Sequence, residues 1–266
     1  MTHTVLLVGC GKMGGALLDG WLKAGTVARV HVVEPGGASL PADPAVHRVA
    51  GADDLPADLS PDAVVLAVKP QAMDQVAPAY ARFADRSVFL SIAAGKTIAY
   101  FADRLGEGAA IVRAMPNTPA AIGKGVTVLA ASMGVTPQQR ALCDRLMRAA
   151  GTVDWVEDEG LLDAVTALSG GGPAYVFLLI ESLAKAGAAS GLPADLAMRL
   201  ARRTVIGAGA LAEASDDPAE TLRRNVTSPN GTTQAALEVL MAEDAIQPLF
   251  DRAIAAAARR SRELAS

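Results

Sequence analysis

The sequence predicts an α/β protein in which a Rossmann-type doubly wound parallel sheet is followed by an all-α C-terminal part. Three observations lead there. Short β-branched runs alternate with helical patterns through the first half, as a parallel sheet with crossover helices requires. The first of those runs ends in a glycine-rich loop that opens a helix. After about Glu157 no strand pattern returns, which divides the chain into domains over 1–157 and 158–266.

Taken in order, the strands are predicted at Thr4 to Val8, Val30 to Val33, Ala63 to Val68, Ser87 to Ile92 and Ala110 to Arg113. Several are apolar throughout, the mark of strands covered on both faces. The helix over Gly14 to Ala24 gathers Leu17, Leu18, Trp21 and Leu22 on one face. Another starts at Thr136-Pro137-Gln138-Gln139, where threonine caps, proline fits the first turn and Gln139 completes a capping box. In the second part, helices are predicted near 159–190, 194–214, 218–225, 231–241 and 244–264, with Asp217-Pro218-Ala219-Glu220 as a cap, proline and acid start.

Composition excludes several classes of function. The chain has 266 residues, enough for two cores without a metal or disulfide. Its net charge is −4, with no basic field for a nucleic acid. Cys10 and Cys143 belong to no Cys/His cluster with zinc spacing, so no metal is expected, and two unpaired thiols fit a reduced, cytoplasmic protein. Residues 1–4 run into a strand without a signal-peptide pattern. Apolar runs such as Ala174 to Ile180 fall short of the roughly 20 residues that cross a bilayer, so no membrane partner is expected. Aromatics are only 4% while alanine is abundant, which favours close helix packing and an oligomer interface.

The loop Gly9-Cys10-Gly11-Lys12-Met13-Gly14 has the G-x-G-x-x-G pattern, with a strand before it and a helix after it. Gly9 permits the tight turn, Gly11 lets a pyrophosphate approach the backbone, and Gly14 lets the helix pack on the strand with its N-terminus toward the anion. The loop is therefore expected to bind a dinucleotide, the alternative being a merely tight βα turn. Glu34, 20 positions beyond Gly14, closes the second strand, where an acid bonds the adenine ribose. Its carboxylate repels a 2′-phosphate and residues 34–40 hold no Lys or Arg, so NADH is expected to serve at least as well as NADPH. The alternative has loop amides or Arg48 holding that phosphate.

Further loops follow strand ends, where open α/β sheets bind ligands. Ala67-Val68-Lys69-Pro70 and Ala93-Ala94-Gly95 are small enough for close backbone approach, and Asn117, between Pro116 and Pro119, can line the nicotinamide end or stiffen a crossing. Three glycines and a proline in Leu168 to Pro173 should break or kink a helix, which points to close backbone packing, and the roles of Ser169 and Tyr175 stay open. Late in the chain, Val226-Thr227-Ser228-Pro229-Asn230-Gly231-Thr232-Thr233 sets two hydroxyls behind a Pro-Asn-Gly turn, where exposed helix N–H groups can hold a small carboxylate.

With these motifs in order from about residue 5 to 250, the chain resembles the Δ1-pyrroline-5-carboxylate reductases. The resemblance implies hydride transfer from NADPH or NADH to the C=N bond of pyrroline-5-carboxylate, giving L-proline in the last step of proline biosynthesis. It places the cofactor on Gly9 to Gly14, Glu34 and Pro35, Ala67 to Pro70, and Ala93 to Gly95. It places the substrate carboxylate on Ser228 to Thr233, Val226 against the ring, and Thr233 on the ring nitrogen as the catalytic group. Asn230 stands where the family has glycine, a departure that asparagine absorbs because it tolerates left-handed backbone. The second domain would bind substrate and form dimers, often gathered into decamers. Six-membered imines would need only slightly more room.

Little acid–base chemistry is demanded of the protein, because a protonated iminium is already an electrophile; positioning dominates. His3, His31 and His47 all precede residue 50 and are expected to be structural or exposed. A β-hydroxyacid dehydrogenase would need a lysine with an asparagine one helical turn on, yet after Lys124 only Lys185 occurs, followed four residues later by Ala189. Another imine reductase, or a sensing protein that binds the dinucleotide without turnover, completes the alternatives.

Overall fold

The structure, a computed structural model, describes residues 3–37 and 39–265. Strand β1 (Thr4–Val8) passes through the glycine loop into helix α1 (Lys12–Ala24), and β2 (Arg29–Val33), β3 (Val46–Val49), β4 (Ala63–Leu66), the short α2 (Met73–Val76), β5 (Val88–Ser91), α3 (Ile98–Leu105), β6 (Ala110–Met115), β7 (Gly125–Ala131), α4 (Pro137–Arg148) and β8 (Gly151–Val156) follow. They form one sheet ordered β3-β2-β1-β4-β5-β6-β7-β8. Every neighbouring pair is parallel except β6 and β7.

Both faces of that sheet are covered, which explains the uninterrupted apolar runs. Val5 and Leu7 of β1 join a core with Leu17, Trp21 and Leu146, while Leu6 and Val8 enter a second core with Phe89 and Phe101 on the other face. Trp21 fixes α1 to α4 through a buried hydrogen bond from its Nε1 to the Leu146 carbonyl at 2.7 Å. The predicted capping box is present: Thr136 Oγ1 accepts the Gln139 N–H, and Gln139 Oε1 accepts the Thr136 N–H.

Three strands differ from the sequence prediction by existing at all. β3 (VHRV) and β8 (GTVDWV) pair on one side only, as the two sheet edges, and their polar and half-exposed residues hide any apolar run. β7 (GVTVLAA) opens with glycine and reverses direction against β6.

Beyond β8 every regular element among the described residues is helical. α5 (Leu161–Val165) passes through a π-turn at Thr166–Gly170 into α6 (Gly172–Ala189), and α7 (Ala194–Glu213), α8 (Ala219–Asn225), α9 (Thr232–Leu240) and α10 (Ile246–Ala265) follow. By compactness the chain divides into one unit up to Gly170 that includes residues from Ala257 onward, and another of Gly171–Ala256. The expected break in Leu168 to Pro173 is that π-turn, with Pro173 in the first turn of α6. A Cβ at position 170 would lie 2.6 Å from Met115 Cε, the end of a flexible side chain, so the packing there is close without making glycine obligatory.

Two expectations need correction. Asp217 does not cap α8: Pro218 is the N-cap residue, and Asp217 donates its N–H to Ser215 Oγ. The apolar stretch is also longer than the 174–180 run suggested. The continuous helical segment Leu161–Ala189 contains an 18-residue window of mean hydropathy 1.3, so by length and composition it is sufficient to cross a membrane. The segment stays apolar on average because glycine, alanine and leucine dilute Glu181 and Lys185. In the single chain it leaves Val176, Phe177, Leu178, Leu179 and Leu183 exposed.

Candidate active site

The glycine loop is built by steric necessity. Gly9 sits at φ 88°, a conformation that L side chains rarely adopt, and its N–H donates to the Val33 carbonyl at 2.9 Å, locking the loop to β2. A Cβ on Gly14 would lie 2.5 Å from the Gly9 carbonyl oxygen, so α1 approaches β1 only with glycine there. At Gly11 nothing lies within 4 Å of where a Cβ would stand. The first two contacts build the cradle and the third position leaves it open, which is the arrangement a dinucleotide pyrophosphate fits.

Around this loop is a cavity of about 450 Å³ lined by Gly9, Gly11, Glu34, Pro35, Ala67, Val68 and Lys69, together with Ala50, Gly51, Ala52, Gln75, Val76, Ala79 and Tyr80. Cys10 is buried in the loop backbone, Lys12 and Met13 begin α1, and Pro70 opens the turn after Lys69. Burial and the nearby Glu34 carboxylate raise the Cys10 thiol above its ordinary value, so it stays protonated. Burial pushes the Tyr80 phenol up to about 12, leaving it a neutral wall.

Glu34 bonds inward. Its Oε2 accepts the Cys10 N–H and its Oε1 the Gly36 N–H, both at 2.8 Å. The carboxylate therefore ties the glycine loop to the turn after β2 and keeps lone pairs for a ribose hydroxyl. Arg48, on β3, donates through Nη2 to the Glu34 carbonyl at 2.9 Å. Asp54 accepts the Gly51 N–H at 2.9 Å and does not line the cavity. Sequence reading missed Ala50 to Ala52 because it missed β3; the acid-rich turn at Asp53-Asp54 was the one local signal.

Ala93 to Gly95 follow β5 without lining that cavity; Ala93 is buried, its N–H on Ser91 Oγ, and Gly95 has φ 77°. Asn117 is tied within the protein. Its Oδ1 accepts the Val126 N–H at 2.9 Å, and its Nδ2 donates to the Ser169 carbonyl and Oγ at 3.2 and 3.3 Å. Asn117 and Ser169 thus brace the β6–β7 crossing against the π-turn. None of the histidines lines the cavity: His31, buried, stacks on His47 at 5.2 Å, and His3 Nε2 lies 2.9 Å from Arg145 Nη2. Among the described residues no three of His, Cys, Asp or Glu cluster as a metal site.

In the helical unit, Val226 to Gly231 connect α8 to α9, and Thr232 and Thr233 open α9. Thr227 Oγ1 donates to the Arg223 carbonyl at 2.7 Å, and the Gly231 N–H closes a turn on the Ser228 carbonyl at 3.0 Å. Asn230, at φ 57°, is the one positive-φ residue other than glycine among those described. Proline second and a left-handed residue third make a type II turn. Thr232 and Thr233 are exposed in the first turn of α9, where helix geometry offers their N–H groups no carbonyl partner. Val226, at the start of the connection, is 62% exposed.

Comparison with known proteins agrees with both halves of this geometry. Residues 159–264 match the family described as pyrroline-5-carboxylate reductase dimerisation, and residues 4–95 match that described as NADP oxidoreductase, coenzyme F420-dependent. The pyrroline-5-carboxylate reductase of Pseudomonas aeruginosa is 40% identical, covering 99% of this chain and 97% of its own, and that of Synechocystis is 38% identical, covering 97% of each. Among solved structures, a pyrroline-5-carboxylate reductase from Coxiella burnetii superposes with a TM-score of 0.91 at 34% identity over 100% of both chains. The Plasmodium falciparum pyrroline carboxylate reductase, solved with NADP bound, gives 0.82 at 28% identity over 99% of this chain and 98% of that one. An open glycine cradle on a doubly wound sheet, a Ser-Pro-Asn-Gly-Thr-Thr turn opening a helix, and full-length similarity to these enzymes lead to one conclusion: the chain belongs to the pyrroline-5-carboxylate reductase family.

Proposed function

We propose that this enzyme reduces the C=N bond of Δ1-pyrroline-5-carboxylate to L-proline with NADH or NADPH, closing proline biosynthesis. The observation that carries the reading is the pairing, in one chain, of the open Gly11 cradle with the exposed amides and hydroxyls at Thr232 and Thr233. Reduced nicotinamide, when bound, supplies the hydride. Gly9 to Gly14 receive the pyrophosphate at the N-terminus of α1, Glu34 and Pro35 the adenosine, and Ala67 to Pro70 with Ala93 to Gly95 the remainder. Asn117 holds the crossing through Ser169 and Val126.

Ser228 to Thr233 hold the substrate carboxylate at the positive end of α9, and Val226 packs on the ring. Thr233 directs its hydroxyl to the ring nitrogen. A hydroxyl is too weak an acid to protonate an imine unaided, so its part is to orient a ring that arrives as the iminium. Glu34, as a carboxylate with no cation in its own loop, favours NADH at least as much as NADPH.

The exposed α6 face, with Phe177 at 60% and Leu179 at 46% exposure, is covered in a homodimer through the helical part, which further assembles into a decamer. Its Ala- and Leu-rich side chains then lie against another protomer, with no membrane. Free, buried Cys10 and Cys143 fit a reducing, cytoplasmic setting. Incubation with pyrroline-5-carboxylate and reduced cofactor should form L-proline in step with nicotinamide oxidation, and cofactor oxidation without proline would refute the assignment.

A further inference from the structure

Gln234 occupies the third position of α9, where a Glu or Gln in an ordinary capping box turns back to the N-cap N–H. Here the N-cap is Gly231, and its N–H is already engaged with the Ser228 carbonyl at 3.0 Å. Gln234 reaches one residue further: its Oε1 accepts the N–H of Asn230 at 2.7 Å. Its Nε2 donates to Glu238 Oε1 at 3.0 Å, one helical turn on, which fixes the orientation of the amide. Gln234 is half-buried, whereas Ser228, Pro229, Asn230, Thr232 and Thr233 are exposed.

Asn230 is the residue that needs this support. At φ 57° a side chain-bearing residue is held against its preference, and asparagine only reduces that cost. Gly231 is crowded as well: a Cβ there would lie 2.6 Å from Ser228 Oγ, which can rotate away, and 3.0 Å from the Ser228 carbonyl oxygen, which the turn holds in place. The Gln234 bond sets the plane of the Pro229–Asn230 peptide. It also occupies the Asn230 donor, leaving the first-turn amides of α9, those of Thr232 and Thr233 among them, open to an anion.

We infer that Gln234 is a positioning residue for substrate: by clamping the left-handed Asn230 amide, with Glu238 behind it, it shapes the turn so that a carboxylate is received by Thr232 and Thr233. This rests on the proposed role of the 226–233 loop.

The test uses the full-length enzyme and the Gln234→Met variant, which keeps the length of the side chain and loses both hydrogen bonds. Native-state hydrogen exchange reads the clamp without activity: exchange at the Asn230 amide should accelerate tenfold or more while amides in the middle of α9 stay unchanged. Steady-state kinetics read the role: KM for pyrroline-5-carboxylate should rise about three- to tenfold, with kcat and the cofactor KM within twofold. Adding Asn230→Gly to Gln234→Met should restore most of that KM, because glycine adopts the turn unaided. Unchanged exchange at Asn230 would overturn the clamp. Accelerated exchange with an unchanged KM in an active enzyme would overturn the positioning role and leave the proposed reaction standing. A wild-type enzyme inert toward pyrroline-5-carboxylate would overturn the reaction, and the positioning role with it, whatever the exchange shows.

Discussion

The carboxylate of Glu34 accepts the backbone N–H of Cys10 at 2.8 Å, joining the end of β2 to the glycine loop. Glu34 therefore has two effects that a substitution separates. Glu34→Ala removes a charge-assisted hydrogen bond of about 1.5 to 3 kcal/mol, discounted for partial exposure, so KM for NADH should rise about tenfold. It also removes the repulsion of a 2′-phosphate, so the NADPH to NADH ratio of kcat/KM should increase. Steady-state kinetics with both cofactors check this; a wild-type preference for NADPH above about tenfold would contradict the reading of Glu34.

Gly11 and Gly14 belong to the same motif and should fail differently. Gly14→Ala drives a Cβ to 2.5 Å from the Gly9 carbonyl and should lower Tm, because helix and strand must separate. Gly11→Ala meets nothing in the protein, so Tm should stay within about 2 °C while cofactor affinity drops about tenfold or more, the added methyl standing where the pyrophosphate approaches. Thermal melts beside cofactor titrations separate the two; equal losses of Tm would show that Gly11 serves packing.

Thr233→Val preserves shape and deletes the hydroxyl. The expected loss is about 1 to 3 kcal/mol in kcat/KM, roughly 5 to 150-fold, with cofactor KM unchanged. An unaltered rate removes Thr233 from the reaction.

Mild acid should destabilise the protein through His31. Burial first, then His47 and Arg29, hold this imidazole below its ordinary value of 6.5. The unfolded chain takes up the proton more readily than the fold does, so this contribution to stability is complete above pH 6.5 and is lost as pH falls below it. Tm should fall between pH 7 and 5.5, and His31→Phe should flatten the slope in that window. An unchanged slope in the variant would assign the effect to other groups.

Much of this was legible in the sequence, and what was not has identifiable causes. β1, β4 and β5 are flanked on both sides of the sheet, so burial forces apolar residues at every position and the strands declare themselves. Edge strands β3 and β8 carry no such requirement, and with β3 went the Ala50 to Ala52 wall of the cavity beside the glycine loop. The glycine loop was readable because its spacing is dictated by contact distances; the Asn230 turn was readable because Pro-Asn-Gly has few backbone options. The Gln234 bond was not, since it depends on a rotamer that no periodicity encodes. Asn117 was expected either to line the nicotinamide end or to stiffen a crossing, and the sequence could not name its partners, Val126 and Ser169, which lie 9 and 52 residues away.

The apolar face of α6 implies a partner. Leu179→Asp places a charge in that face and should shift the protein from dimer or larger assembly to monomer in size-exclusion chromatography with light scattering. An unchanged mass would place the interface elsewhere.

The most direct test is isotopic. With pyrroline-5-carboxylate and NADH dideuterated at nicotinamide C4, the enzyme should give L-proline carrying one deuterium at the former imine carbon, in proportion to cofactor oxidised. Proline without that label, or no proline at all, would contradict direct hydride transfer to the imine.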